Sequence, residues 1–99
     1  MKPVELRKTM EEFGKYQIFE GTRFDGIAHE FKFPNGYGAS VVCFTGSYGS
    51  NQRLWELGVK LNGHLVYDTP ITNDVIGYLT DEDVCETMKE IMMLPKPEE

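Results

Sequence analysis

Phe31 to Asp68 reads FKFPNGYGASVVCFTGSYGSNQRLWELGVKLNGHLVYD. The pairs Asn35-Gly36 and Asn62-Gly63 each stand between strand-like runs. Asn-Gly accepts the positive φ angles that a tight hairpin turn requires. From Ile27 the period is two, with Ile27, His29, Phe31 and Phe33 on one side and Ala28, Glu30 and Lys32 on the other. Val41 to Phe44 is continuously apolar, which predicts a central strand covered on both faces. Trp55, Leu57, Val59 and Leu61 alternate with Leu54, Glu56, Gly58 and Lys60 to make the clearest strand. Between the hairpins lies Thr45 to Gln52, rich in Gly and Ser and longer than a tight turn. The stretch predicts a four-stranded antiparallel meander.

Outward from this block, residues 3–13 predict a short helix, with Val4, Leu6, Met10 and Phe13 as an apolar stripe and Gly14 as its stop. Tyr16 to Phe24 is ambiguous between an edge strand and a loop, and Asp25-Gly26 is a turn signal. Val75 to Leu79 reads as a fifth strand or a docked helical turn. Thr80 is a good N-cap, Asp83 completes an approximate capping box, and Val84, Met88, Ile91 and Met92 stripe the helix that follows. Pro95 and Pro97 end it, leaving residues 96–99 as a frayed tail. The expected fold is α+β: a four- to five-stranded antiparallel meander, a C-terminal helix packed on one face and a short N-terminal helix. The expected core is Phe31, Phe33, Val41, Cys43, Trp55, Leu57, Val59, Leu65, Val84, Met88 and Ile91.

A chain of 99 residues predicts one domain, 1–99, burying roughly 60–70% of its unfolded surface. No apolar run approaches the roughly 18 residues of a membrane span, and the charged N-terminus lacks a signal-peptide core. The expected compartment is the cytoplasm. Two cysteines, Cys43 and Cys85, suit a reducing compartment and make no disulfide framework. The net charge of −6 resides in the last third, where residues 68–99 carry two basic and nine acidic side chains. A negative chain has no electrostatic drive toward phosphate backbones, so direct nucleic-acid binding is disfavoured.

The chemistry-bearing residues do not form a catalytic pattern. His29, His64, Cys43 and Cys85 lack the paired spacing of a zinc site. Cys43 sits in an apolar run and Cys85 among carboxylates, and both surroundings disfavour the thiolate. Gly46-Ser47-Tyr48-Gly49-Ser50 lacks the Gly-Lys-Ser/Thr ending of a phosphate loop, and the acidic spacing does not match a calcium loop. No metal, cofactor or enzymatic activity is expected. Tyr48, Asn51 and Arg53 instead suit a contact loop, since Tyr and Arg are favoured at interfaces. Asp74, Asp81, Glu82 and Asp83 form a second candidate surface, by which an acidic face could mimic DNA toward a nucleic-acid-binding enzyme. A third reading is a small-molecule or nucleotide binder with its ligand between the middle loop and the sheet.

The segments NGYGASVV, GSYG, LWELGV and YDTPITNDVIGYLTDEDV, within residues 31–94, resemble small proteins of tailed bacteriophages and prophages. The resemblance carries no activity, so no functional residue transfers from it. It implies a virus-encoded, non-enzymatic interaction protein, made in the bacterial host cytoplasm, that binds and inhibits a host protein such as a defence-system component. A homodimer through an exposed sheet edge is a further expectation.

Overall fold

The computed structural model describes residues 2–97. The expected tail therefore lies partly outside the described residues, at Glu98 and Glu99. Among these residues two α-helices and six strands form: α1 (Arg7–Phe13), β1 (Gln17–Arg23), β2 (Gly26–Lys32), β3 (Tyr37–Cys43), β4 (Trp55–Leu61), β5 (His64–Leu65), β6 (Ile76–Leu79) and α2 (Asp81–Met92). The strands make one antiparallel sheet in the order β1-β2-β3-β4-β5, and β6 shares the outer edge of β4 with β5. The fold is α+β, as the periodicity predicts.

The two Asn-Gly turns do what their chemistry requires. Asn62 and Gly63 take φ of 50° and 86°, and Leu61 pairs with His64 across them. At the other turn the amide of Asn35 also works at long range. Its Nδ2 donates to the carbonyls of Ile91, Met92 and Leu94 at 2.9, 3.2 and 3.0 Å, while its Oδ1 accepts from Tyr37 N–H at 3.0 Å. The hairpin turn thus caps the C-terminal end of α2, where carbonyls lack intrahelical partners.

The core lies between one sheet face and the two helices. Phe31, Val41, Trp55, Leu57 and Val59 from the strands meet Val84, Met88 and Ile91 from α2, all at 2% exposure or less. Each such side chain contributes about 1.5–3 kcal/mol by leaving water. β3 is central, and every residue after Tyr37 in it is buried. The other face carries a partly buried ion cluster, in which Glu30 meets Arg23 at 2.9 Å and also pairs with Lys60.

Several expectations need correction. The N-terminal helix begins at Arg7, not Pro3. Val4 N–H donates to Arg53 O and Val4 O accepts from Trp55 Nε1, both at 2.9 Å, so the backbone of this arm is already engaged by the start of β4. Leu65 is 46% exposed. It pairs with Lys60 on the face away from the helices, over the open position of Gly58. His29 is buried, 8% exposed, and lies edge-on to Trp55. The ambiguous stretch after Tyr16 is a full edge strand, paired with β2 from Gln17 to Arg23.

Replacing Asn35 by Ala is expected to lower unfolding free energy by about 1–3 kcal/mol, as a multiply bonded, part-buried amide is lost. Asn35→Asp should cost at least as much, because it sets a carboxylate against three carbonyls and the negative end of the helix dipole. Urea denaturation of the three proteins checks the order.

Candidate functional site

The strand registers bring three connections to one end of the sheet. Arg23 pairs with Gly26 around the Phe24-Asp25 turn, Ile27 pairs with Cys43 where β3 runs into the middle loop, and Trp55 pairs with Leu79 where that loop ends beside β6. The candidate contact residues Tyr48, Asn51 and Arg53 are all exposed here.

The loop is not a flexible spacer. Ser47 N–H donates to Phe44 O at 2.9 Å, and Ser47 Oγ both donates to that carbonyl and accepts from Phe44 N–H. Ser50 N–H donates to Ser47 O, Gln52 N–H to Gly49 O and Arg53 N–H to Ser50 O, which makes consecutive tight turns. Ser47 and Ser50 are buried. Two glycines lock the loop onto β6. A Cβ on Gly49 would lie 2.8 Å from the Tyr78 backbone, and one on Gly77 would lie 2.3 Å from Tyr48 Cβ. Tyr78 N–H donates to Tyr48 O at 3.2 Å, and Tyr48 N–H to the Glu56 carboxylate at 2.9 Å.

Asp25 ties the loop to the β1–β2 turn by accepting from Thr45 N–H at 2.9 Å and from the Thr45 hydroxyl. The hydroxyl first, then the amide, hold the Asp25 carboxyl below its usual range. Phe24 packs against Phe44 with ring centroids 5.0 Å apart and planes tilted by 60°, yet remains 79% exposed. Tyr48 and Tyr78 are 56% and 57% exposed. Sequence reasoning selected Tyr48, Asn51 and Arg53 but did not join them to Phe24, Phe44 and Tyr78. The Asp25-Gly26 turn signal beside an aromatic residue was the usable clue.

The acidic candidates divide. Asp81 accepts from Lys8 N–H at 2.6 Å, Thr9 N–H at 2.9 Å and Thr9 Oγ1 at 2.7 Å. It serves as the N-cap that Leu6 cannot supply to α1. Asp83 closes the capping box of α2 with Thr80. Glu82 and Asp74 stand exposed. The acidic start of α2 is thus in large part helix-terminal chemistry, and Asp74 lies apart from it, ahead of β6.

Both thiols are buried. Burial, then the charge of Asp25, raises the Cys43 pKa. Burial, followed by its hydrogen bond to Glu12, pushes Cys85 up to about 11, so neither thiol supplies a thiolate near neutral pH. Among the described residues no three His, Cys, Asp or Glu side chains converge as a metal site, and no helix is long and apolar enough to cross a membrane. Comparison with protein-family models, with curated proteins and with solved structures finds no match.

Asp81→Ala is expected to destabilise the protein by about 1.5–3 kcal/mol, the range for charge-assisted bonds, while Glu82→Ala stays within about 0.5 kcal/mol. Denaturant midpoints check this, and amide exchange should quicken at Lys8 and Thr9 in Asp81→Ala alone. The Asp25 tie is complete above the ordinary aspartate pKa of about 3.9 and is lost as pH falls through its lower folded value. The Thr45 amide proton should therefore titrate below about pH 4 in the wild type and stay flat in Asp25→Asn.

Proposed function

We propose that this chain is a phage-encoded protein that binds and blocks a host protein, with the aromatic end of its sheet as the contact surface. One observation carries the reading. Phe24, Arg53 and Tyr78 are non-glycine residues at left-handed φ of 54°, 62° and 60°, all at this end and all exposed. Each such residue costs about 1–2 kcal/mol of backbone strain. Exposed side chains return little of that through burial, so folding alone leaves the choice of Phe, Arg and Tyr unexplained. Glycine would fit each position at less strain. Aromatic and Arg side chains held on a pre-ordered frame are the usual anchors of a protein interface. The fourth such residue, Asn62, has its own explanation in the hairpin turn.

A host partner in the bacterial cytoplasm, including a component of a defence system, follows from the resemblance to phage proteins. The acidic alternative keeps only Asp74 and Glu82 as carboxylates without a capping role.

The test is affinity capture from bacterial lysate with the wild type, a Phe24→Ser/Tyr48→Ser variant and an Asp74→Lys/Glu82→Lys variant. A stoichiometric partner should be retained by the charge variant and lost by the aromatic one at unchanged melting temperature. The opposite pattern, with salt-sensitive binding, would transfer the site to the acids. Arg53→Gly should leave stability equal or raise it by up to about 1 kcal/mol while weakening capture, because it relieves strain and removes an anchor. Thermal denaturation and capture on the same sample check the two effects together.

A further inference from the structure

A second concavity lies on the helix-bearing face of the sheet, beneath the N-terminal arm. Its volume is about 270 Å³. Leu6, Met10, Ile27 and Trp55 give it apolar walls, and His29 is the one polar side chain among them that is more than nine-tenths buried. The arm is fastened over it by the two Val4 backbone bonds to Arg53 and Trp55.

The hydrogen bonds fix the state of the His29 ring. Gln17 Nε2 donates to Glu20 at 3.4 Å, which turns Gln17 Oε1 toward His29, 2.6 Å from Nδ1. An amide oxygen only accepts, so with Gln17 in this orientation Nδ1 carries the proton and Nε2 of the neutral ring presents a lone pair. Among the described residues Nε2 has no protein partner, and no fully buried side-chain nitrogen or oxygen goes unsatisfied. Nε2 is therefore an unpaired acceptor that is not fully buried, on a residue that lines the groove. Burial lowers the His29 pKa, against the smaller opposing effect of Glu20, and so favours the neutral ring.

We propose that this groove binds a small bicyclic aromatic molecule with an N–H or O–H donor, indole being the simplest, whose donor bonds to Nε2 of His29. Size, shape and charge select this class. A cavity of about 150 Å³ lined by Leu, Ile and Phe holds benzene, and the volume here suits two fused rings. The Trp55 and His29 rings, 5.5 Å apart and 69° to each other, form a corner that offers one ring face and one ring edge. Lys2, Glu5 and Glu20 rim the groove with one net negative charge, which disfavours an anionic ligand. A single buried acceptor discriminates strongly, because a ligand without the donor leaves it unpaired.

The proposal does not rest on the partner reading, and its probes report on different side chains, so either can fail without the other. The experiment titrates the ¹⁵N-labelled full chain with indole, 1-methylindole and indole-3-acetate, following amide shifts and the Trp55 indole N–H. Indole should give saturable shifts at Leu6, Met10, Ile27 and Trp55 and bind at least about tenfold tighter than 1-methylindole, with indole-3-acetate weaker than indole. That comparison needs no variant. His29→Phe should equalise indole and 1-methylindole, and Met10→Trp, which fills the groove, should abolish both. Equal binding of indole and 1-methylindole by the wild type, shifts mapping elsewhere, or no saturable shift at millimolar indole would overturn the proposal.

Discussion

A seven-residue helix whose N-cap is a leucine cannot hold its own first turn. α1 has orphan N–H groups at Lys8 and Thr9 and no side chain of its own to meet them. The Asp81 carboxylate meets both and takes the Thr9 hydroxyl as well. Asp81 is itself held by the first turn of α2, whose capping box fixes that turn. One carboxylate thus joins the least self-sufficient element to the most. The rest of the helical layer follows from this joint. Leu6 and Phe13 reach the core only because α1 stays docked, and Cys85 is sealed beneath Glu12. Lys89 then pairs with Glu12 at 3.6 Å across the same seam.

The two ends of the sheet are built on different terms. At the Asn35 and Asn62 end, turn residues match their backbone angles and every unusual angle has a local cause. At the Phe24 end, large side chains hold angles better suited to glycine, and the chain keeps them there with Asp25, Ser47 and the contacts of Gly49 and Gly77. The backbone strain without a local cause is therefore gathered at the Phe24 end. That separation lets the exposed residues of this end change while the core is preserved, an arrangement common where loops on a rigid scaffold carry function.

The meander was legible because its signals are local. Period-two runs, Asn-Gly pairs and a Thr-x-x-Asp helix start need only neighbouring residues to be interpreted. What escaped depends on partners distant in sequence. Asp81 looks like any acid in a first helical turn, and nothing nearby shows that its partners lie 72 and 73 residues away. Leu65 looks like core because it is apolar and follows a hairpin, but β5 ends after two residues and leaves it over Gly58 on the face without helices. The arm at Val4 has a helical stripe, yet tertiary bonds to Arg53 and Trp55 override it. The middle loop looked free because Gly and Ser suggest flexibility. In fact its Gly49 is where two backbones approach too closely for a Cβ, and its serines are buried. Of the candidate site, sequence located the loop but not the turn and strand end that complete it.

The lock between Tyr48 and Gly77 has a consequence for how this surface can evolve. Most exposed loops vary by gaining or losing residues, which costs little so long as the ends stay in place. Here the register of the loop is keyed to a second backbone at Gly49 and Gly77. A one-residue insertion between Thr45 and Gln52 would carry Tyr48 off its seat and oppose Tyr78 with the wrong neighbour. Variation is thereby channelled into the identity of side chains at fixed points such as Asn51 and Gln52. The surface can be redrawn in its chemistry but not in its outline.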